Sequence, residues 1–119
     1  MIDSILDSCK RLCSGISPDD TSYDLDIITF VNSVFVFLFE LGIDHSFHIN
    51  SSIETWSDYM VPGPELDLIK SYIPLRVRIL FDPPQSSTLL QALKDQCNEL
   101  EARLGYLVDP IYLEKGVGW

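Results

Sequence analysis

The sequence predicts an all-α protein: a small bundle of four main helices, an irregular inter-helix loop and an extended C-terminal tail. Three observations predict it. Apolar residues recur at three- and four-residue steps in four separate segments, which is the period of an amphipathic helix. Pro74 aside, glycine and proline fall outside these segments or in a first turn, where they start or stop helices. The 119 residues are 46% apolar and 22% charged, enough to bury the core of one domain.

Residues 1–13 make a short amphipathic helix. Ile2, Ile5, Leu6, Cys9, Leu12 and Cys13 share its apolar side, with Asp3, Asp7, Lys10 and Arg11 elsewhere. Gly15 and Pro18 end it, and a polar loop runs to Tyr23. The second helix spans 24–41. Asp24 and Asp26 favour its positive N-terminal end, Thr21 or Asp24 is a candidate cap, and Gly42 is a natural stop. Ile27, Val31, Val34, Leu38 and Leu41 form one stripe, with Thr29, Asn32, Ser33 and Glu40 opposite. Val36 lies among the polar residues, and Phe37 and Phe39 flank the stripe. So wide an apolar arc predicts a second buried contact, in a small protein a partner subunit.

Residues 44–52 read as a loop or short hairpin, and 53–60 as one or two helical turns capped by Ser51 or Ser52. The third long helix runs over 64–81. Leu66, Ile69, Ile73, Val77 and Leu80 form one stripe, and Leu68, Tyr72, Leu75 and Ile79 a second, nearly opposite. The pair predicts a core face and an interface face. Pro74 must cost one helical hydrogen bond, so a kink or break is expected there. Asp82, Pro83 and Pro84 stop this helix. Ser86 or Ser87 caps the last one, which carries Leu90, Leu93, Cys97, Leu100 and Leu104 inward and ends at Gly105. The domain is thus drawn at 1–104 and the tail at 105–119.

Charge and chemistry narrow the function. Eighteen acids against 8 Lys and Arg give a net charge of −10. No cation run exists to bind nucleic acid or an anionic membrane. Three cysteines argue against a secreted disulfide scaffold and for a reducing compartment. The acidic opening lacks the basic start of a signal peptide. The apolar stretch 27–43, interrupted by Asn32 and Glu40, is short of a membrane span.

His45 and His48 lack the further ligands a zinc site needs and read as solvated. Cys9, Cys13 and Cys97 read as buried small hydrophobes, since the redox motif sets its cysteines three apart. Asp19, Asp20, Asp24 and Asp26 lack a calcium-loop spacing and read as capping and solvated acids. Asp44, His45 and Ser46 are too close together to form a relay. No catalytic residue, metal or cofactor is expected, and the protein is not read as an enzyme.

Arg76 and Arg78 lie about 200° apart around a helix. Arg76 suits an acid of the same fold, and Arg78 an outward inter-subunit ion pair. The tail holds Tyr106, Leu107, Val108, Ile111, Tyr112, Leu113 and Trp119, more apolar than a solvated tail. Docking on its own bundle or on a neighbour would each account for it.

The block Tyr72-Ile73-Pro74-Leu75-Arg76-Val77-Arg78-Ile79-Leu80-Phe81-Asp82-Pro83-Pro84 resembles a segment of small phage head–tail connector proteins. So does the pattern from Asp26 through Val31, Asn32, Phe35 and Leu38 to Gly42, and so does Glu99-Leu100-Glu101-Ala102-Arg103-Leu104. The resemblance covers about residues 1–104, and Pro74 departs from it. It implies a helical neck subunit, or head-completion adaptor. Such subunits form a ring of about a dozen copies with closed symmetry beneath the portal protein. The ring extends the DNA channel and docks the next neck or tail-completion protein. The implied location is the virion neck, with the host cytoplasm before assembly.

On this reading Val36, Phe39, Leu75, Arg78 and Ile79 meet neighbouring subunits. Tyr106, Ile111, Tyr112 and Trp119 dock the tail on portal or neighbour. Asp44, Glu54 and Asp58 belong to a channel loop over 44–62. Carboxylates there would repel phosphate, so packaged DNA passes without specific binding. The alternative is an acidic helical module that binds and inhibits a host protein.

Overall fold

Five helices follow one another in the computed structural model: α1 (Ile5–Leu12), α2 (Asp24–Leu41), α3 (Trp56–Tyr59), α4 (Pro64–Phe81) and α5 (Ser87–Val108). The structure describes residues 4–13, 17, 19–43 and 46–108, with 107–108 as backbone alone. No strand forms among the described residues, and the all-α expectation holds.

α4 is the centre of the bundle. It packs on α1, α2 and α5, and α1 also packs on α2. Its stripe of Leu66, Ile69, Ile73 and Val77 is buried, and so are Tyr72 and Leu75 on the other side. Leu75, expected at a subunit interface, is only 7% exposed and belongs to the core. The physical reason is that α5 lies on α4, so the subunit covers with its own chain the face that periodicity alone left bare. Pro74 is buried within α4, which runs through it unbroken.

α1 is anchored at both ends. Ser4 caps it by accepting from the Asp7 amide at 3.3 Å. Lys10, expected on the polar side, is buried instead, 2.9 Å from the Asp24 carboxylate and donating to the Asp20 carbonyl at 2.8 Å. An ion pair thus fastens α1 to the first turn of α2. Neither Thr21 nor Asp24 caps α2; Tyr23 holds that position without a side-chain bond. Gly42 ends α2 in the left-handed region, φ 105°, where glycine carries no steric penalty.

The connection over 43–63 is tied to the bundle at several points. Asn32 of α2 donates to the Ile49 carbonyl at 3.0 Å and accepts from the Ile49 amide at 2.8 Å. Ser4 and Thr55 form an isolated antiparallel bridge. The Trp56 indole donates to Ser8 at 3.1 Å, and Phe47 packs on Phe35 and Tyr59. α3 is a single turn capped by Thr55 and Asp58 in a reciprocal capping box, where Ser51 or Ser52 was expected.

α5 starts beneath Ser86, whose hydroxyl accepts from the Leu89 amide. Cys97, Leu100 and Leu104 are buried as expected. Gly105 does not end the helix, which continues to Val108. A glycine costs a helix about 1 kcal/mol, less than packing at the buried Leu104 returns. The boundary expected at 104–105 therefore falls inside α5.

Candidate interaction surface

α2 places its apolar residues on more of its circumference than α1 and α4 cover. Ile27, Ile28, Val31, Val34, Phe35 and Leu38 face the core. Outside that face Leu25 is 77% exposed, Val36 56% and Phe39 51%. Asn32 shares this side, and its clamp on Ile49 lays the connection along one edge. The result is an apolar strip on a helix, with the connection held beside it at Ile49.

A groove forms where three helices meet. Ser33, Val34 and Phe37 of α2, Tyr72, Arg76 and Leu80 of α4 and Glu101 of α5 line about 170 Å³. Phe37 and Leu80 keep exposed apolar edges at its rim, and the Phe37 ring tilts over Tyr72 with centroids 6.4 Å apart. The buried Tyr72 hydroxyl donates to the Glu101 carboxylate at 2.6 Å. Burial first, then the bond to Glu101 and its charge, push the phenol well above its ordinary range; the Arg76 cation opposes them. Arg76 is half-buried and makes no hydrogen bond or ion pair with any described residue.

The sequence-predicted residues separate into groups. Val36 and Phe39 lie together on the exposed side of α2, whereas Leu75 is in the core and Ile79 is half-buried against it. Arg78, expected to reach outward, is half-buried with its Nε enclosed, and its charge acts on the Cys13 thiol. Tyr106 is exposed on α5. Ile111, Tyr112, Trp119, Asp44 and His45 lie outside the described residues.

The two described acids of the loop serve local structure. Glu54 accepts from the amides of Asn50 and Ser51 at 3.0 and 3.2 Å. Desolvation opposes its charge, but these bonds outweigh it and hold the carboxyl below its ordinary range. Asp58 accepts from the Thr55 amide at 2.9 Å.

Sequence reasoning missed the Lys10–Asp24 pair. The signal was present: Lys10 stands four residues after Leu6 and three before Cys13, at the edge of the apolar stripe. All three cysteines are buried, and burial raises each thiol, Cys97 to about 11. Such thiols are poor nucleophiles. Among the described residues no three His, Cys, Asp or Glu side chains gather as a metal site, and no helix is long and apolar enough to cross a membrane.

The chain is all-α, with a bare apolar strip on α2 and a groove that pairs apolar walls with Arg76 and Glu101. A family model described as phage connector protein matches residues 5–109. The chain belongs to the phage connector protein family, a family of structural proteins. No curated protein and no solved structure matches it.

Proposed function

We propose that the chain is a neck subunit of the virion, forming a ring beneath the portal protein that extends the DNA channel and docks the next neck or tail-completion protein. Family membership supports a connector role, and the exposed strip of Leu25, Val36 and Phe39 is the observation that carries the assembly. Apolar side chains held on a helix mark an association site.

Val36 and Phe39 supply the subunit contact. Arg78 and Ile79, half-buried at the C-terminal end of α4, contribute at its margin. The connection containing Asp44, Glu54 and Asp58 faces the channel, and its negative charge keeps DNA sliding. The tail after Val108, with Ile111, Tyr112 and Trp119, docks on a neighbour or the portal. Several hundred Å² of apolar burial there, at roughly 25 cal/mol per Å², offsets the ordering of the tail only when a partner supplies pockets.

Imaging of the neck tests this reading. A ring of this chain between portal and tail, lost in a Val36→Asp or Phe39→Asp phage, is the expected result. Tight, salt-sensitive DNA binding by the ring would contradict the channel assignment.

A further inference from the structure

We propose that the groove between α2, α4 and α5 is the receptor for residues 109–119 of an adjacent copy of this chain. The inference rests on the assembly proposed above and names the contact that links one subunit to the next.

The groove's chemistry is specific. Its volume of about 170 Å³ falls below the ~300 Å³ where small-molecule pockets begin, so it suits a side chain or two of a peptide. Phe37 and Leu80 offer an apolar rim. Arg76 offers a guanidinium that forms no ion pair with a described residue, while Glu101 in the same groove is engaged by Tyr72. In a chain of net charge −10, a half-buried cation that forms no ion pair with a described residue is a place for a carboxylate from outside. Glu101 accepts one bond from Tyr72 and keeps acceptor capacity for another donor.

Residues 109–119 carry the complementary groups. Asp109 and Glu114 are carboxylates for Arg76. Tyr112 and Trp119 join an apolar ring to one polar N–H or O–H, matching a groove with apolar walls and a free acceptor. Pro110 disfavours helical backbone at the residue before it. Eleven extended residues reach up to ~36 Å, about the length of α5 itself, which is enough to cross to a neighbour. Tail and groove are different surfaces, so the contact is head-to-tail and propagates into a ring.

The test uses the full-length chain in sedimentation experiments over a concentration series. Groove variants are Leu80→Asp and, independently, Arg76→Glu; the tail variant is Tyr112→Asp. Circular dichroism confirms that each remains folded. Wild type is expected to form oligomers, and each variant to self-associate at least ten-fold more weakly. An equimolar mixture of a groove variant with the tail variant should give a one-to-one dimer and nothing larger, because only one intact tail and one intact groove remain per pair.

Wild-type assembly by the variants would overturn the inference. So would a mixture that stays monomeric, which is the signature of a tail folded onto its own subunit, or a wild type that never self-associates. Portal binding, measured separately, distinguishes the two levels. Variants that join a portal-bound ring at full occupancy sink the groove alone. A wild type that ignores the portal sinks the neck function and leaves the sedimentation result to judge the groove.

Discussion

The two 18-residue helices α2 and α4 both carry apolar residues on more than one side, yet the fold uses them differently. α4 has α1, α2 and α5 around it, so its second stripe is absorbed through Tyr72 and Leu75. α2 packs chiefly on α1 and α4, and the connection reaches its far side through the Asn32 clamp. Leu25, Val36 and Phe39 are left bare. Excess apolar surface on a helix therefore measures how many neighbours it needs. Whether those neighbours come from the same chain depends on position in the bundle, which periodicity does not encode.

The largest effect should come from the helix that the subunit itself covers. Leu75→Ala removes buried side-chain volume between α4 and its neighbours and should cost about 2–5 kcal/mol in urea unfolding. A loss near zero would return Leu75 to the surface and erase the contrast with α2. Next is the fastening of α1 to α2. Asp24→Ala leaves the Lys10 ammonium buried, with the Asp20 carbonyl as its hydrogen-bond acceptor among the described residues. The cost should be about 2 kcal/mol, below the 3–5 typical of a fully buried pair because the Asp24 carboxylate is partly in water.

These sites also show how much was legible beforehand. The boundaries of α2 and α4 could be read from Gly42, Pro64 and the Asp82-Pro83-Pro84 stop, because backbone restrictions act locally. Gly105 misled because its helix penalty is small against the packing of Leu104. Lys10 misled because a charge was assigned to solvent on its type, although its spacing placed it at the edge of the stripe. The exposure of Val36 and Phe39 was legible from the width of the apolar arc. The groove was not, because Phe37, Arg76 and Glu101 meet only once three helices are in place.

A smaller effect probes the α4–α5 contact through pH. Burial lifts the Cys97 thiol from 9.0 to about 11. The folded state keeps a proton that the unfolded chain releases near pH 9. That contribution is whole below pH 9 and is lost as pH rises from 9 to 11. Tyr72 is shifted the same way and withdraws its own contribution above pH 10. Unfolding free energy should fall across this window, and Cys97→Ala should flatten the fall without abolishing it. An unchanged slope would mean that the thiol is wetter than its 1% exposure indicates.

The smallest change in subunit stability should accompany the largest change in assembly. Val36→Asp puts a carboxylate on the exposed side of α2, where the side chain is 56% in solvent. Nothing buried is left unpaired and no core volume is lost, so the unfolding free energy should change by no more than about 0.5 kcal/mol. Ile79→Asp is the control, because Ile79 is half-buried against the core and a charge there must be desolvated. It should destabilise the isolated subunit clearly. If the strip on α2 is an interface, Val36→Asp removes the subunit from the ring at unchanged stability, while Ile79→Asp reduces both together. Equal destabilisation by the two would place Val36 among the core residues and dissolve the distinction between α2 and α4. Full ring occupancy by a stable Val36→Asp subunit would leave the distinction in folding and take it away from function.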